Sequence, residues 1–237
     1  MKRIIITGGT GRFGKVLRKY KSNHQLIYPN KKELDILNVK KIDKYLTKKK
    51  PDILIHLAGL SRPMKMHETN ISKSIDLNII GTANVVKACN KKNVKIIYFS
   101  TNYVYPGQKG NYKELDSLLP VNNYAWSKLG GESSVQLYKN SLILRVCMTE
   151  KPFIHSKAFV NVKTNFIYHD KIVPILFKLL NKKGIINLGG KSQSIFNFAK
   201  KEKIKVKKVY LKKKNNSGIP FNSTMNLAKL KKILKKN

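Results

Sequence analysis

The sequence predicts an α/β protein built on a parallel, doubly wound sheet. Two observations carry that expectation. Apolar runs of strand length alternate with helical patterns through the first 146 residues, and the runs are continuous, as in strands covered on both faces. The first run also passes directly into a glycine cluster, the kind of bare backbone that a tight strand-to-helix turn requires.

Taken in order, "RIIIT" (3–7) reads as a buried strand and 12–21 as a helix. "HQLIYP" (24–29) is a second strand and 39–48 a second helix. "PDILIHLAG" (51–59) is a third strand, followed by a long helix over 72–92. "VKIIYFST" (94–101), a helix over 122–138 and "SLILRV" (141–146) complete the regular part. Beyond about residue 150 the pattern weakens to a short strand near 165–168, a helix at 170–181, a strand at 185–188, a helix near 194–202, a strand at 205–211 and a basic helix at 226–235. Leu227, Leu230, Ile233 and Leu234 give that last helix one apolar packing face. The expected organisation is a dinucleotide-binding domain over 1–150 and a reduced α/β lobe over 151–237, interleaved with the first.

With 237 residues and 41% hydrophobic content the chain can bury one sizeable core. No apolar run approaches the roughly 18 residues of a membrane span, and "RIIITGG" does not read as a signal peptide. Cys89 and Cys147 lie far apart and form no metal or redox spacing, which fits a reduced, cytoplasmic protein. The formal net charge of +37 raises nucleic-acid binding. Against it, the excess is lysine spread along the chain, and arginine, the base-reading residue, occurs only at positions 3, 12, 18, 62 and 145. The lysines read as a compositional bias on solvated positions, and the expected partner is a small anion such as a nucleotide.

"TGGTGRFG" places Gly8, Gly11 and Gly14 in G-x-x-G-x-x-G spacing, after a strand and at a helix start. There, glycines let backbone approach a pyrophosphate, and the helix N-terminus faces its charge. "YAWSK" sets Tyr124 and Lys128 four apart, on one helix face, and Ser100 and Thr101 end the fourth strand. Sites in open parallel sheets form at the carboxyl ends of the strands, so Thr101 and the glycine turn should share one edge. A phenol titrates near pH 10, and an ammonium beside it lowers that value and makes proton exchange with a carbonyl or alcohol feasible. A small hydroxyl can hold the same oxygen.

These motifs, Thr7 to Gly14, "YAWSK", "LNIIGTANVV", "STNYVYPG" and "FIYHDKIV", resemble the extended, sugar-nucleotide branch of the short-chain dehydrogenase/reductase superfamily. They are most similar to the dTDP-4-dehydrorhamnose reductases, to which "KKELDI" and "IPFNSTMNLAKLKKIL" also correspond. The resemblance implies a Rossmann-type fold, a nicotinamide cofactor and a sugar-nucleotide substrate. It makes Thr101, Tyr124, Lys128 and Asn78 catalytic: Thr101 positions a carbonyl, Tyr124 donates a proton, Lys128 tunes Tyr124 and holds the nicotinamide ribose, and Asn78 supports the proton path. It assigns the cofactor to Thr7, Gly8, Gly11, Arg12, Phe13, Gly14, Asn30, Lys31, Asp35, Ala58 and Gly59, with Tyr124 and Lys128. Asn30 occupies the position of the acid that binds the ribose of NAD, and Lys31, Lys32 and Arg12 are expected nearby, so NADPH is favoured, with NADH as the alternative. Asp35 would contact the adenine. Arg62 reads as a solvated loop residue, with contact to a substrate phosphate as the alternative, and Cys147 as a packing residue.

The segment after Arg145 is shorter than the family's substrate lobe, a tryptophan usual near Met148 is absent, and Thr164 and Asn165 stand where relatives carry an arginine and an acid. Asn102 and Tyr103 follow Thr101 where sugar dehydratases carry two acids, which argues against dehydration. The expected function is NADPH-dependent reduction of a keto group on a nucleotide-linked deoxysugar. The alternatives are an NAD-retaining sugar-nucleotide 4-epimerase and a non-catalytic, cofactor-binding regulatory subunit. No nucleic-acid, membrane or metal partner is expected, and a homodimer is compatible with the sequence.

Overall fold

The computed structural model describes residues 1–202, 205–212 and 218–235. Six strands, β1 (Arg3–Thr7), β2 (Gln25–Ile27), β3 (Ile53–His56), β4 (Lys95–Thr101), β5 (Ser141–Val146) and β6 (Gly184–Leu188), form one sheet in the order β6-β5-β4-β3-β1-β2. Every neighbouring pair is parallel. Six longer helices accompany them: α1 (Arg12–Arg18), α2 (Val39–Lys49), α3 (Gly81–Lys91), α4 (Asn123–Gln136), α5 (His169–Leu179) and α6 (Ala228–Lys235).

The strand residues alternate between two cores. Ile4 and Ile6 face Phe13 and Leu17 of α1, Ile172 and Leu176 of α5 and Leu230 of α6. Ile5 and Leu54 face Ile42 and Leu46 of α2, Val85 of α3 and Val135 of α4. Each fully buried aliphatic side chain contributes about 1.5–3 kcal/mol, and dividing them between both faces produces the doubly wound arrangement. Because β1 pairs with β2 on one side and β3 on the other, the chain reverses direction across the sheet there. That reversal opens a crevice at the carboxyl ends of β1 and β3.

Two local details position the site. Asn122 caps α4, its Oδ1 accepting from Ala125 N at 2.8 Å, so Tyr124 falls in the first turn and Lys128 one turn later. The expected long helix over 72–92 is instead a short helix at Ile71–Ile75, a π-helical turn at Asp76–Ile80 and α3. The extra residue of a π turn re-aims side chains, and here the turn carries Asn78.

Past residue 150 the chain divides. α5 and β6 join the central sheet, while Lys157–Phe159 with Lys207–Val209, Lys163–Thr164 with Gln193–Ser194, and Met148–Thr149 with Ile167–Tyr168 make three two-stranded ladders. Sequence reasoning missed most of these pieces because two or three residues are too few to show a period.

Candidate active site

The glycine turn abuts the end of β3. Gly8 has φ +71°, and a Cβ there would stand 2.6 Å from Ala58 N. A Cβ on Gly14 would stand 2.6 Å from the Gly9 Cα. Only glycine fits both places. The N-cap of α1, Gly11, brings no capping side chain, so the first amides of the helix face the crevice without a side-chain acceptor, a setting suited to an anion. The Phe13 side chain, expected at the cofactor, turns into the core against Phe99 at 5.2 Å. Only its backbone remains at the turn.

A continuous hydrogen-bonded chain ties this turn to α4. Ala58 N donates to Thr7 Oγ1 at 3.3 Å, and Thr7 Oγ1 meets His56 Nδ1 at 2.8 Å. His56 Nε2 meets Thr82 Oγ1 at 3.2 Å, and Thr82 donates to Asn78 O at 2.8 Å. Proton accounting fixes the roles. The single Thr82 proton goes to Asn78 O, so His56 must donate from Nε2 and accept at Nδ1 from Thr7. Burial holds the His56 pKa down at about 3, aided by the Lys128 charge, which keeps that tautomer neutral. Asn78 Nδ2 donates to Leu60 O and to Ser127 Oγ, both at 2.8 Å, its Oδ1 accepts from Leu60 N at 2.7 Å, and Ser127 donates to Tyr124 O at 2.8 Å. Gly59 is bare (φ +155°) because Asn78 Oδ1 would stand 2.7 Å from its Cβ. Asn78 therefore braces both the loop after β3 and the turn that carries Tyr124.

Thr101 and Tyr124 come together at the end of β4. Burial raises the Tyr124 pKa, while the Thr101 hydroxyl bonded to it and the Arg62 charge pull it down. The expected lowering by Lys128 is not what the geometry gives. The Lys128 ammonium lies over the Tyr98 ring, 4.1 Å from its centroid, and burial depresses its own pKa to about 7, partly offset by Glu132. The Tyr124 phenol is consequently protonated at neutral pH, as a proton donor must be. Glu132, four residues on from Lys128, is fully buried and forms an ion pair with Arg145, Nη2 to Oε1 at 2.6 Å.

The end of β2, where adenosine binding is expected, differs from expectation in one respect. Arg12 is not there. The guanidinium beside the end of β2 is that of Arg18, 4.3 Å over the Tyr28 ring and donating to Gly9 O at 3.0 Å. Asn30 and Glu33 cap one another, with Asn30 N donating to Glu33 Oε2 at 2.8 Å and Glu33 N to Asn30 Oδ1 at 3.1 Å. That brings an acid to the turn, with exposed Lys31 and Lys32 between. Asp35 lies in the turn before α2, its Oδ1 accepting from Leu37 N at 3.0 Å, and Asn38 caps the helix.

Asn102 is buried and donates to Ser223 Oγ at 2.9 Å, and burial raises the Tyr103 pKa further, so neither supplies an acid beside Thr101. Cys147 is a buried thiol against Thr164 Oγ1 at 2.9 Å, its pKa pushed up to about 11 by burial. Sequence reasoning missed His56, Thr82, Ser127, Glu150 and His67. His67 packs edge-on against Tyr124 with ring centroids 5.1 Å apart. His56 could have been found, since a polar residue inside the apolar run "DILIHLAG" needs partners. Among the described residues no helix is long and apolar enough to cross a membrane.

Comparison with known proteins agrees with this architecture. The family model described as the RmlD substrate binding domain matches residues 1–162. A dTDP-4-dehydrorhamnose reductase of Aggregatibacter actinomycetemcomitans is 31% identical over 154 residues, covering 63% of this chain and 52% of that protein. A dTDP-D-glucose 4,6-dehydratase of Dictyostelium discoideum is 31% identical over 235 residues, covering 81% and 51%. The chain thus spans about half the length of these curated relatives. The crystal structure of a Bacillus anthracis dTDP-4-dehydrorhamnose reductase in complex with NADP superposes with a TM-score of 0.86 at 24% identity, covering 98% of this chain and 92% of that one. With a parallel sheet, a glycine turn at its switch point and a family model spanning most of its length, the chain belongs to the RmlD substrate-binding-domain family.

Proposed function

We propose that this protein is an NADPH-dependent reductase of a keto group on a nucleotide-linked deoxysugar, similar in activity to dTDP-4-dehydrorhamnose reductase. The carrying observation is the meeting of Thr101 with Tyr124 at the end of β4, on the edge where the glycine turn lies. The bare cap at Gly11 suits the phosphates of a dinucleotide, and Gly8 lets that turn lie directly against the end of β3. When bound, the nicotinamide supplies the hydride. The Thr101 hydroxyl holds the carbonyl oxygen and Tyr124, kept protonated by burial, gives that oxygen its proton. Lys128, one helical turn on from Tyr124, would hold the ribose of the bound cofactor, while Asn78 keeps the Tyr124 turn and the β3 loop in register. Preference for NADPH rests on Asn30 in place of an acid, followed by Lys31 and Lys32, with Arg18 at the same edge, three cations against the one carboxylate of Glu33 that caps Asn30. The relative in complex with NADP supports it.

The experiment is NADPH and NADH titration by fluorescence, followed by NADPH consumption with a panel of keto-sugar nucleotides. Consumption with dTDP-4-dehydrorhamnose supports the reading. A tightly retained cofactor with no consumption of added NADPH would favour the epimerase, and binding without any turnover the regulatory subunit. Exposed Ile71, Ile75, Ile80 and Trp126 on adjoining helices support self-association, which sedimentation equilibrium tests.

A further inference from the structure

Three charged side chains from three strand ends meet at the mouth of the crevice. Arg12 comes from the start of α1, just after the turn that follows β1, Arg62 from the loop after β3 and Glu150 from the chain leaving β5. Arg12 Nη1 lies 3.1 Å from Glu150 Oε1, and Arg62 Nη1 lies 3.6 Å from the same oxygen. The chain carries 49 basic and only 12 acidic residues, so carboxylates are scarce. Yet one of them is held between two of the five arginines.

The chemistry of the pair indicates what belongs there. A guanidinium presents a planar fork of N–H donors that suits phosphate as well as carboxylate. The two guanidiniums, from different loops, converge on one carboxylate oxygen, as they would on an oxygen of a bridging anion. The surroundings are also cationic. The charges of Arg62 and Arg12 reach His155 and His169, and that of Arg62 reaches the Tyr103 and Tyr124 phenols. Against the effect of burial, a backbone hydrogen bond at Glu150 and then the two arginines hold its carboxyl below its ordinary pKa. With Glu150 in place the trio has a net charge of only +1. With Glu150 withdrawn, two guanidiniums are left facing the crevice, enough to neutralise a diphosphate diester. The arginine side chains keep 51% and 35% of their exposure, and an ion pair that open to water separates readily.

We infer that Arg12 and Arg62 form a seat for the diphosphate of a bound nucleotide, and that Glu150 fills this seat until the ligand displaces it. The inference rests on the reductase reading and deepens it. The diphosphate belongs either to the dinucleotide cofactor or to the sugar nucleotide, and the test separates them. Glu150 is thereby a built-in competitor that weakens binding of diphosphates. It gives Arg12 a role beside Glu150, away from the end of β2 that Arg18 occupies.

The test measures Kd for NADPH and, separately, for dTDP, at fixed low ionic strength, in the wild type, Glu150→Gln, Arg62→Gln and the double variant. Glu150→Gln should tighten at least one of the two probes by about 3- to 10-fold, and the probe that tightens identifies the source. Arg62→Gln should weaken that same probe, and the double variant should lose the gain. Unchanged or weaker binding of both probes by a Glu150→Gln protein with wild-type circular dichroism overturns the seat. If the wild type binds and oxidises NADPH while Glu150→Gln changes nothing, the seat fails and the reductase reading stands. If neither protein binds NADPH, the reading fails and takes the seat with it.

Discussion

Replacing Thr82 by Val tests whether the chain from the glycine turn to α4 holds the site together. Valine keeps the shape and removes the hydroxyl. Thr82 is 1% exposed, accepts from His56 Nε2 at 3.2 Å and donates to Asn78 O at 2.8 Å. Neither partner has water to turn to, since His56 is also 1% exposed. Moving the histidine proton to Nδ1 gives no relief, because Nε2 then carries an unused lone pair. One stranded buried polar atom costs about 1–3 kcal/mol. A loss of about 2 kcal/mol corresponds to a fall of about 4–8 °C in Tm for a domain of this size. Urea unfolding and calorimetry measure it. Thr82→Ser keeps the hydroxyl and loses one methyl, about 0.8 kcal/mol, so it should fall between wild type and Thr82→Val. The reasoning is refuted if Thr82→Val stays within about 0.5 kcal/mol of wild type, or if Thr82→Ser loses as much as Thr82→Val.

Further outcomes follow from the same structure. Glu132→Ala strands the Arg145 guanidinium, 2% exposed at the side chain. Arg145 keeps Tyr105 Oη at 2.8 Å and Glu114 O at 2.9 Å, so the loss should lie near the lower end of the 3–5 kcal/mol range for a broken buried pair, read from urea midpoints. Because burial sets the Lys128 pKa at about 7 in the free protein, kcat/KM should fall as pH rises through that value and the ammonium is lost. A profile flat from pH 6 to 8 would contradict it. Burial brings the His56 pKa from the ordinary 6.5 of a solvated histidine down to about 3 in the folded protein. Below about pH 6.5 the unfolded chain takes up a proton that the native state refuses, so this stabilisation is complete above that pH and is lost as pH falls towards 3. Urea midpoints across that range should decline, and less steeply in His56→Gln.

Much of the fold was legible because its determinants are local. The runs "RIIIT", "VKIIYFST" and "SLILRV" became β1, β4 and β5 with ends shifted by at most one residue. Glycine spacing placed the turn, and the Asn122 cap places Tyr124 and Lys128 as their spacing suggests. What stayed hidden depends on distance in sequence. Nothing near Glu150 announces that its partners are Arg12 and Arg62, since those contacts exist only once three strand ends converge. The direction of Arg12 escapes sequence reasoning for the same reason, as α1 turns that side chain away from β2 and presents Arg18 there. The π turn at Asp76–Ile80 has no period of its own, so it reads as plain helix. Helical spacing pairs the Lys128 ammonium with Tyr124, but the ammonium lies over the Tyr98 ring, a contact between helix and strand that spacing does not reveal.

The most direct test of the central claim compares wild type with Tyr124→Phe in NADPH binding and in NADPH consumption with a keto-sugar nucleotide. The account predicts that the variant binds NADPH with unchanged affinity, since the phenol oxygen is asked only to give a proton, and that turnover falls by about 10²- to 10⁴-fold, the usual contribution of a positioned proton donor. Turnover in the variant equal to that of wild type would contradict it.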